Sequence, residues 1–383
     1  MTEMDNIEKL LKRGVDEIIV EDHLKKELES GRKLRVKLGI DPTSPDLHLG
    51  HTVVLRKLKQ FQELGHKIVL IIGDFTGQIG DPSGRSESRV PLSENEIKGH
   101  MKDYLDQAGK VIDVKKTEVR YNSEWHEKDG LKKMLELMRS ATVQQILKRE
   151  DFQKRLSEDA EISLLETVYP LLQGYDSVAI KADIELGGTD QKFNLLVGRR
   201  VQRHFGMAEQ DIMTVPLIEG TDGVKKMSKS YGNYIGLNDE PNDMFGKIMA
   251  IPDVLIEKYF TYLTDIDQPK DLGPYESKML LAETIVEMYH LKKSKKAKEE
   301  FINAFSKNEI PANIPELKVK NKEINIIDLL IQSGVESRSE ARRLVEQGAI
   351  EIGGEIKRDY KEDLILAGGE ILKRGKRNFF RIS

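Results

Sequence analysis

The spacing of hydrophobic positions changes along this chain, and each change marks an element. From Ile7 to about Glu29 the apolar residues fall at helical intervals, which predicts an amphipathic lead-in helix. Between Lys33 and Ile40 the period drops to two, with Leu34, Val36, Leu38 and Ile40 alternating against polar neighbours, as in a strand. Asp41-Pro42-Thr43-Ser44-Pro45 is turn chemistry, with two prolines and short side chains that bond to their own backbone. A helix is predicted from about Leu49 to Leu64, with Val54, Leu58 and Phe61 on its buried stripe and Gly65 where a helix ends. The apolar run Ile68-Val69-Leu70-Ile71-Ile72, within Lys67–Ile72, predicts a strand covered on both faces. Strand, helix, strand is a βαβ unit, so the sheet is expected to be parallel with a right-handed crossover.

Glycines and short polar residues dominate Gly73–Gly84, a loop leaving the carboxyl end of the second strand, where open parallel sheets place their ligands. The chain has neither a GxGxxG dinucleotide loop nor a Walker lysine loop. Further on, the pattern predicts a strand at Glu118–Tyr121, a helical stretch from Gly130 to about Ser157, a helix over Ile162–Tyr175 and a strand near Val178–Ile180. After Gly232 only helices are expected, through about Phe305; Pro311 and Pro315 then sit in a polar linker, and a short mixed unit fills Glu323–Ser383. The expected class is therefore α/β: a Rossmann-like parallel-sheet domain over 1–232 with a helical insertion near 122–160, an all-α domain over 233–308, a linker over 309–322, and a small α+β domain over 323–383.

Composition narrows this picture only slightly. At 38% hydrophobic and 33% charged, the chain falls in the ordinary soluble globular class. No run approaches the roughly 18–20 apolar residues of a membrane span, so no membrane partner is expected. Met1 to Leu10 lack the basic-then-apolar pattern of a signal peptide, and cysteine is absent, which excludes disulfides, thiol catalysis and thiolate zinc sites. A cytoplasmic setting is expected. The net charge of −4 neither supports nor excludes a polyanionic partner, since such partners bind the field of one face.

Two segments carry chemistry. His48-Leu49-Gly50-His51 puts two imidazoles at i and i+3 on the first turn of a helix, where free N–H groups and the helix dipole favour an anion. Gly50 would let a flat base or a phosphate approach the backbone. Alone, the pair also suits a surface or metal-binding role. Lys225-Lys226-Met227-Ser228-Lys229-Ser230, bracketed by Gly220, Gly223 and Gly232, has the makings of a loop that opens and closes, with lysines for the charge on a departing pyrophosphate. Alone, it also suits a solvated basic turn. Together, in this order and about 175 residues apart, the segments resemble the paired signatures of class I aminoacyl-tRNA synthetases.

Between them, Tyr169, Gln173 and Asp176 stand at i, i+4 and i+7, so one helix face presents all three, as a pocket lining or a partly exposed stripe. With Gly80-Asp81-Pro82-Ser83-Gly84 and Gly187-Gly188-Thr189-Asp190-Gln191, they resemble bacterial-type tyrosyl-tRNA synthetases, and the likeness runs along essentially the whole chain. That resemblance implies that Asp81, Tyr169 and Gln173 hold the amino acid's ammonium group and that Asp176 accepts the phenol's hydrogen bond. Gly39 and Asp41 join this amino-acid side. Asp190 and Gln191 face the ribose and the substrate carboxylate, Gly188 gives the adenylate room, and Thr43 meets the terminal phosphate. Arg85 and Arg89 match basic positions near the phosphates, and His48, Gly50, His51, Lys226, Met227, Ser228, Lys229 and Ser230 complete the ATP side. His48, His51, Lys226, Lys229, Arg85 and Arg89 are the residues expected to contact the transition state. One position departs from the pattern: many relatives carry a first-strand tyrosine as the phenol's second partner, whereas this chain has Lys37, so Lys37 either reaches the phenolic oxygen or leaves Asp176 another partner. Phenylalanine would strand a buried carboxylate, and tyrosine enzymes are the familiar worked case of rejection by a missing hydroxyl.

Near the carboxyl end, Ser337-Arg338-Ser339-Glu340 is a capping box opening a helix, with Arg342 and Arg343 on its outer side. Lys373-Arg374-Gly375-Lys376-Arg377 forms a second cluster. Residues 323–383 carry 11 basic against 11 acidic side chains, so position rather than excess charge must serve binding. The unit resembles the S4 RNA-binding domain, which implies tRNA contacts through Arg338, Arg342, Arg343, Lys373 and Arg374; a solvated charged surface is the alternative. The expected partners are L-tyrosine, ATP with Mg²⁺ as the substrate complex, and tRNA(Tyr), with no prosthetic group or protein-held metal, in a homodimer joined near Gly130–Ser157. Rival readings are a tryptophanyl-tRNA synthetase, a non-catalytic RNA scaffold and a simpler nucleotidyltransferase.

Overall fold

The computed structural model of this chain describes residues 3–42, 46–81, 94–128, 130–306, 314–319, 323–335, 337–366, 368–375 and 378–382. The chain divides into two compact units, residues 1–298 and 299–383. The first opens with α1 (Glu3–Lys12), β1 (Glu17–Ile19), α2 (Glu21–Glu29), β2 (Arg35–Ile40), α3 (Leu49–Glu63), β3 (Lys67–Ile72), α4 (Glu94–Ala108) and β4 (Glu118–Tyr121). It continues through α5 (Ser123–His126), α6 (Gly130–Arg139), α7 (Val143–Ile146), α8 (Glu150–Ser157), α9 (Leu164–Ile180), β5 (Ile184–Gly188), α10 (Lys192–His204) and β6 (Asp211–Val215). Helices α11 (Pro241–Met249), α12 (Ile256–Leu263), α13 (Pro274–Tyr289) and α14 (Ser294–Ser306) follow. Among the described residues, no helix is long and apolar enough to cross a membrane.

Six strands form one sheet in the order β1-β6-β5-β2-β3-β4, parallel throughout except for β1, which runs antiparallel along β6. The order reverses between β2 and β5: successive strands after β2 are added on one side, then β5 and β6 on the other. Beyond the carboxyl ends of the strands at such a reversal, the two connections leave in opposite directions and open a crevice. The apolar run of β3 is buried from Ile68 to Ile72, as expected of a strand covered on both faces.

Several expectations need correction. The lead-in from Ile7 to Glu29 is two helices, because Gly14 turns the chain at φ +73° and Glu17–Ile19 pairs with β6. The helical stretch Gly130–Ser157 breaks into three, with a new start at Thr142, whose hydroxyl caps Gln145. Val178–Ile180 is the last turn of α9 and not a strand; Lys181 ends that helix at φ +54°, and the strand lies at Ile184–Gly188. In α3 Val54 is only half-buried, while Val53, Leu55, Leu58 and Phe61 face inward. That helix is covered around most of its circumference, even at Lys57, whose ammonium caps the carbonyls of Leu10 and Arg13.

Strand β2 hides a further surprise. Its pattern alternates apolar and polar residues, and the polar Lys37 is nonetheless fully buried. Lys37 lies opposite Glu185 in the β2–β5 register, and its three N–H groups are all used, at 2.8 Å each, by Glu185, Ser177 and the Gln173 carbonyl. Glu185 also accepts from Ser177, Gln173 and Gln210. Strand, strand and helix are thus joined by one buried ion pair.

The second unit contains β7 (Glu316–Leu317), β8 (Glu323–Asn325), α15 (Ile326–Gln332), α16 (Arg338–Glu346), β9 (Ile350–Ile352), β10 (Glu355–Lys357), β11 (Asp363–Ile365), β12 (Ile371–Arg374) and β13 (Asn378–Ile382). Strand β7, within the stretch read as linker, pairs parallel with β13. Ser337 caps α16 by accepting from the Glu340 N–H, and Gly348 follows it at φ +68°. Leu329, Leu330, Ala341, Val345, Ile350 and Leu372 form a separate core under these elements.

Removing one partner of a buried ion pair leaves an uncompensated charge. Glu185→Ala is therefore expected to lower stability by about 3–5 kcal/mol, read from the urea-unfolding midpoint.

Candidate active site

The crevice is lined by the segments that leave β2, β3, β4 and β5. Asp41 follows β2, and its carboxylate accepts from Thr76 at 2.8 Å and from the Tyr169 hydroxyl at 2.9 Å. A Cβ on Gly73 would lie 1.9 Å from that carboxylate and 2.4 Å from the Thr76 hydroxyl, so only glycine fits there. Burial, with Asp41 and Asp81 nearby, raises the Tyr169 phenol well above its ordinary pKa, so it stays a donor. Gly39 has the opposite character: a Cβ there would meet nothing within 4 Å, which leaves open space beside the strand.

Asp176 is buried at 3% exposure. Its Oδ1 accepts from Trp125 Nε1 and His126 Nε2, each at 2.8 Å, and its Oδ2 lies 3.5 Å from Asn122 Nδ2. Asn122 also donates to Thr76 at 2.9 Å and accepts from the Phe75 N–H. A continuous hydrogen-bonded path therefore joins Asp176 to Asn122, Thr76, Asp41 and Tyr169.

A second network lies along the same face of α9. Gln191 donates to Asp81 at 2.5 Å, and Asn194 reaches Gln173 at 3.0 Å, Gln191 at 3.3 Å and Asp81 at 3.4 Å. Arg149 is buried with its NH2 3.8 Å from Asp81. The structure thus brings together Asp41, Asp81, Tyr169, Gln173, Asp176 and Gln191. Lys37 is the exception: its ammonium is consumed by Glu185, Ser177 and the Gln173 carbonyl, so it supports Gln173 from behind rather than reaching into the crevice.

The histidine segment and the lysine loop meet. The Leu49 N–H bonds to the Ile235 carbonyl, the Leu237 N–H bonds to the Leu47 carbonyl, and a Cβ on Gly50 would lie 3.6 Å from Met227. The same Cβ would lie 2.9 Å from the His48 ring, which accounts for the glycine. The His48 and His51 rings stack with centroids 3.9 Å apart. The His48 N–H donates to His51 Nδ1 at 3.2 Å, so the proton of a neutral His51 sits on Nε2. Among the described residues, the buried Nδ1 of His48 meets no partner. Burial, then the neighbouring His51 and Lys229, lower the pKa of His48 to about 2; burial and Lys229 lower that of His51 to about 4.

Lys229 reaches Asp46, and Lys226 lies 2.9 Å from Asp190. Asn233 ties the loop together: its amide accepts from the Ser228 N–H and donates to Asp222 and to the Lys225 carbonyl, while Ser228 accepts from the Ser230 N–H. Gly188 stands beside Asp190, where a Cβ would lie 2.8 Å from the carboxylate. Thr43, Arg85 and Arg89 lie outside the described residues.

In the second unit, Arg338, Arg342 and Arg343 are exposed on α16, although Arg338 pairs with Asp328 and Arg342 with Glu346 over the Tyr360 ring. The other two basic residues are half-buried and also partnered: Arg374 donates to the Ser333 carbonyl at 3.0 Å and packs on Phe380, and Lys373 pairs with Glu351.

Sequence reasoning missed Asn122, Trp125, His126, Arg149, Glu185 and Asn194, all buried and all bonded to the residues above. Asn122-Ser123-Glu124-Trp125-His126, directly after a strand, was the one legible signal, because polar residues at a strand's carboxyl end face the crevice.

Comparison with known proteins agrees with this geometry. Residues 29–307 match the model described as tRNA synthetases class I (W and Y), and residues 307–382 match that of the tyrosine–tRNA ligase SYY-like C-terminal domain. The chain is 50% identical to a tyrosine–tRNA ligase of Thermotoga maritima, over 98% of this chain and 96% of that protein. It is 48% identical to one of Aquifex aeolicus, over 98% and 97%. Among solved structures, a tyrosyl-tRNA synthetase of Archaeoglobus fulgidus complexed with L-tyrosine superposes with TM-score 0.63 at 21% identity, over 78% of this chain and all of that one. At that identity the likeness speaks for the fold.

The lowered histidine pKa values have a stability consequence. A histidine in the unfolded chain titrates near about 6.5. Above that pH neither state holds the proton; as pH falls from there to about 4 the unfolded chain takes up protons that folded His48 and His51 refuse, so stability falls. Each histidine contributes up to about 1.4 kcal/mol per pH unit in that window. In thermal unfolding measured from pH 7 to 4.5, the acid-side decline of Tm is expected to be shallower in His51→Asn than in the parent chain.

Proposed function

The chain belongs to the class I tRNA synthetases, in the tyrosine–tRNA ligase family, and on that footing we propose how its residues divide the work of joining tyrosine to tRNA. The enzyme uses ATP to activate the amino acid and passes the acyl group to tRNA. The observation that carries the residue assignment is the convergence of His48 and His51 with the lysine loop, beside a crevice that holds buried Asp176.

In the first step a carboxylate oxygen of tyrosine forms a bond to the α-phosphorus of ATP, which enters as its Mg²⁺ complex, and the bond to the bridging oxygen breaks as pyrophosphate leaves. No protein nucleophile is needed; positioning and charge stabilisation suffice. His48 and His51 are neutral at physiological pH and serve as hydrogen-bond donors to the phosphates. Lys226 and Lys229 exchange Asp190 and Asp46 for the negative charge that builds on the leaving group. Asp81 and Gln173, with the Tyr169 hydroxyl, hold the ammonium group, Gly39 and Asp41 border the amino acid, and Gly188 and Gln191 flank the adenylate. Asp176 accepts the phenolic O–H. In the second step the terminal ribose hydroxyl of the tRNA attacks the acyl carbon and AMP leaves.

The exposed arginines of α16, Arg338, Arg342 and Arg343, provide the charge by which the S4-like second unit engages tRNA. The helical region after β4 supplies a dimer interface: Leu131, Leu135 and Met138 are exposed on one side of α6, with Val143 beyond it. A row of exposed apolar residues on one helix face needs a cover, and a second copy of the chain supplies a matching one. Cytoplasm, where tRNA and ATP are held, is the proposed compartment.

Amino-acid-dependent ATP–pyrophosphate exchange is expected with tyrosine and not with tryptophan; the reverse would overturn the substrate assignment. Lys229→Ala is expected to slow exchange by about 100-fold or more while tRNA binding stays near its original strength. Leu135→Asp combined with Met138→Asp is expected to shift sedimentation from dimer to monomer.

A further inference from the structure

His126 is a buried histidine with a defined bonding partner, and the reaction as described gives it no task. Its ring is enclosed by Phe75, Tyr175 and Trp125, with centroids 5.2, 6.0 and 6.2 Å away. Its Nε2 lies 2.8 Å from Asp176 Oδ1. A carboxylate offers only acceptors, so that nitrogen carries the proton and donates it. Trp125 Nε1 donates to the same oxygen, also at 2.8 Å. Asp176 is therefore bonded asymmetrically: Oδ1 takes two strong donors, whereas among the described residues Oδ2 has only the 3.5 Å approach of Asn122.

We infer that His126 is a specificity-determining positioning residue, which with Trp125 saturates one oxygen of Asp176 and so reserves the other for the phenolic hydroxyl. This rests on the reading of Asp176 as the phenol's acceptor. The physical consequence is a fixed carboxylate plane. Pinned at Oδ1 by two rigid rings, the carboxylate presents Oδ2 in a single direction. A phenolic O–H completes that oxygen, and a phenylalanine ring leaves it dry and under-bonded, which is costly. Lys37, which stands where a tyrosine partner is common, is spent on Glu185 and adds no donor to the phenol. Discrimination in this chain then falls on Asp176 and the groups that aim it.

The test measures kcat and KM for tyrosine and for phenylalanine in ATP–pyrophosphate exchange, with variants His126→Phe, which keeps the ring packing but has no N–H, and His126→Gln, whose amide restores a donor near the Nε2 position. His126→Phe is expected to raise KM for tyrosine about 10-fold, with a smaller change in kcat and little change for phenylalanine, and His126→Gln to recover part of the loss. Equal weakening of both amino acids, no change in the tyrosine KM, or no difference between Gln and Phe would overturn the inference. Asp176→Asn separates the two levels: if it leaves the tyrosine-to-phenylalanine ratio unaltered, the reading of Asp176 itself fails. If it collapses the ratio while both His126 variants keep it, only the role of His126 fails. Should His126→Phe not fold, the ratio in His126→Gln and in His126→Leu decides by the same criteria.

Discussion

A carboxylate taken out of water must be answered by donors, and the catalytic half of this chain is arranged around that demand. Asp41, Asp176 and Glu185 all sit at or beneath the crevice; Asp41 and Glu185 are each met by groups from at least two other elements, and Asp176 by three groups of the segment after β4. Because the donors come from β2, from the segments after β3 and β4, from α9 and from Gln210 ahead of β6, satisfying the carboxylates also fixes where the segments after β3 and β4 leave the sheet. The crevice is rigid for electrostatic reasons as much as for packing reasons.

The triphosphate side follows a different logic. His48 and His51 are stripped of water and placed near Lys229, so they stay neutral where an exposed histidine would begin to charge. Neutral imidazoles donate without adding positive charge to a site that already collects lysines. The lysines rest on Asp190 and Asp46, partners that the proposed triphosphate would outcompete by charge. On the proposed assignment, one side of the crevice reads hydroxyls and ammonium groups through fixed acceptors, and the other meets phosphate through fixed donors and exchangeable cations.

Strand β2 shows how a buried lysine is accommodated. Lys37 would be ruinous to stability if its charge stayed unpaired. Glu185, its neighbour across the parallel register, and Ser177, one helical turn beyond Gln173, complete its bonding. The same glutamate accepts from Gln173, so the pair supports the proposed ammonium site without touching it.

By itself the sequence determined the βαβ opening, the two signatures, the face bearing Tyr169, Gln173 and Asp176, and the Ser337 cap of α16, because period, turn residues and short motifs are local properties. It did not determine that the helix carries on through Val178–Ile180, nor that Glu17–Ile19 is a sheet edge or that Arg374 donates to Ser333, the last two depending on a partner far along the chain. Nor did it place Asn122, Trp125, His126, Asn194 and Glu185 around the crevice. Which buried donor meets which carboxylate is decided by sheet order and helix packing, and only the tertiary structure brings residues 37 and 185, or 126 and 176, within one hydrogen bond.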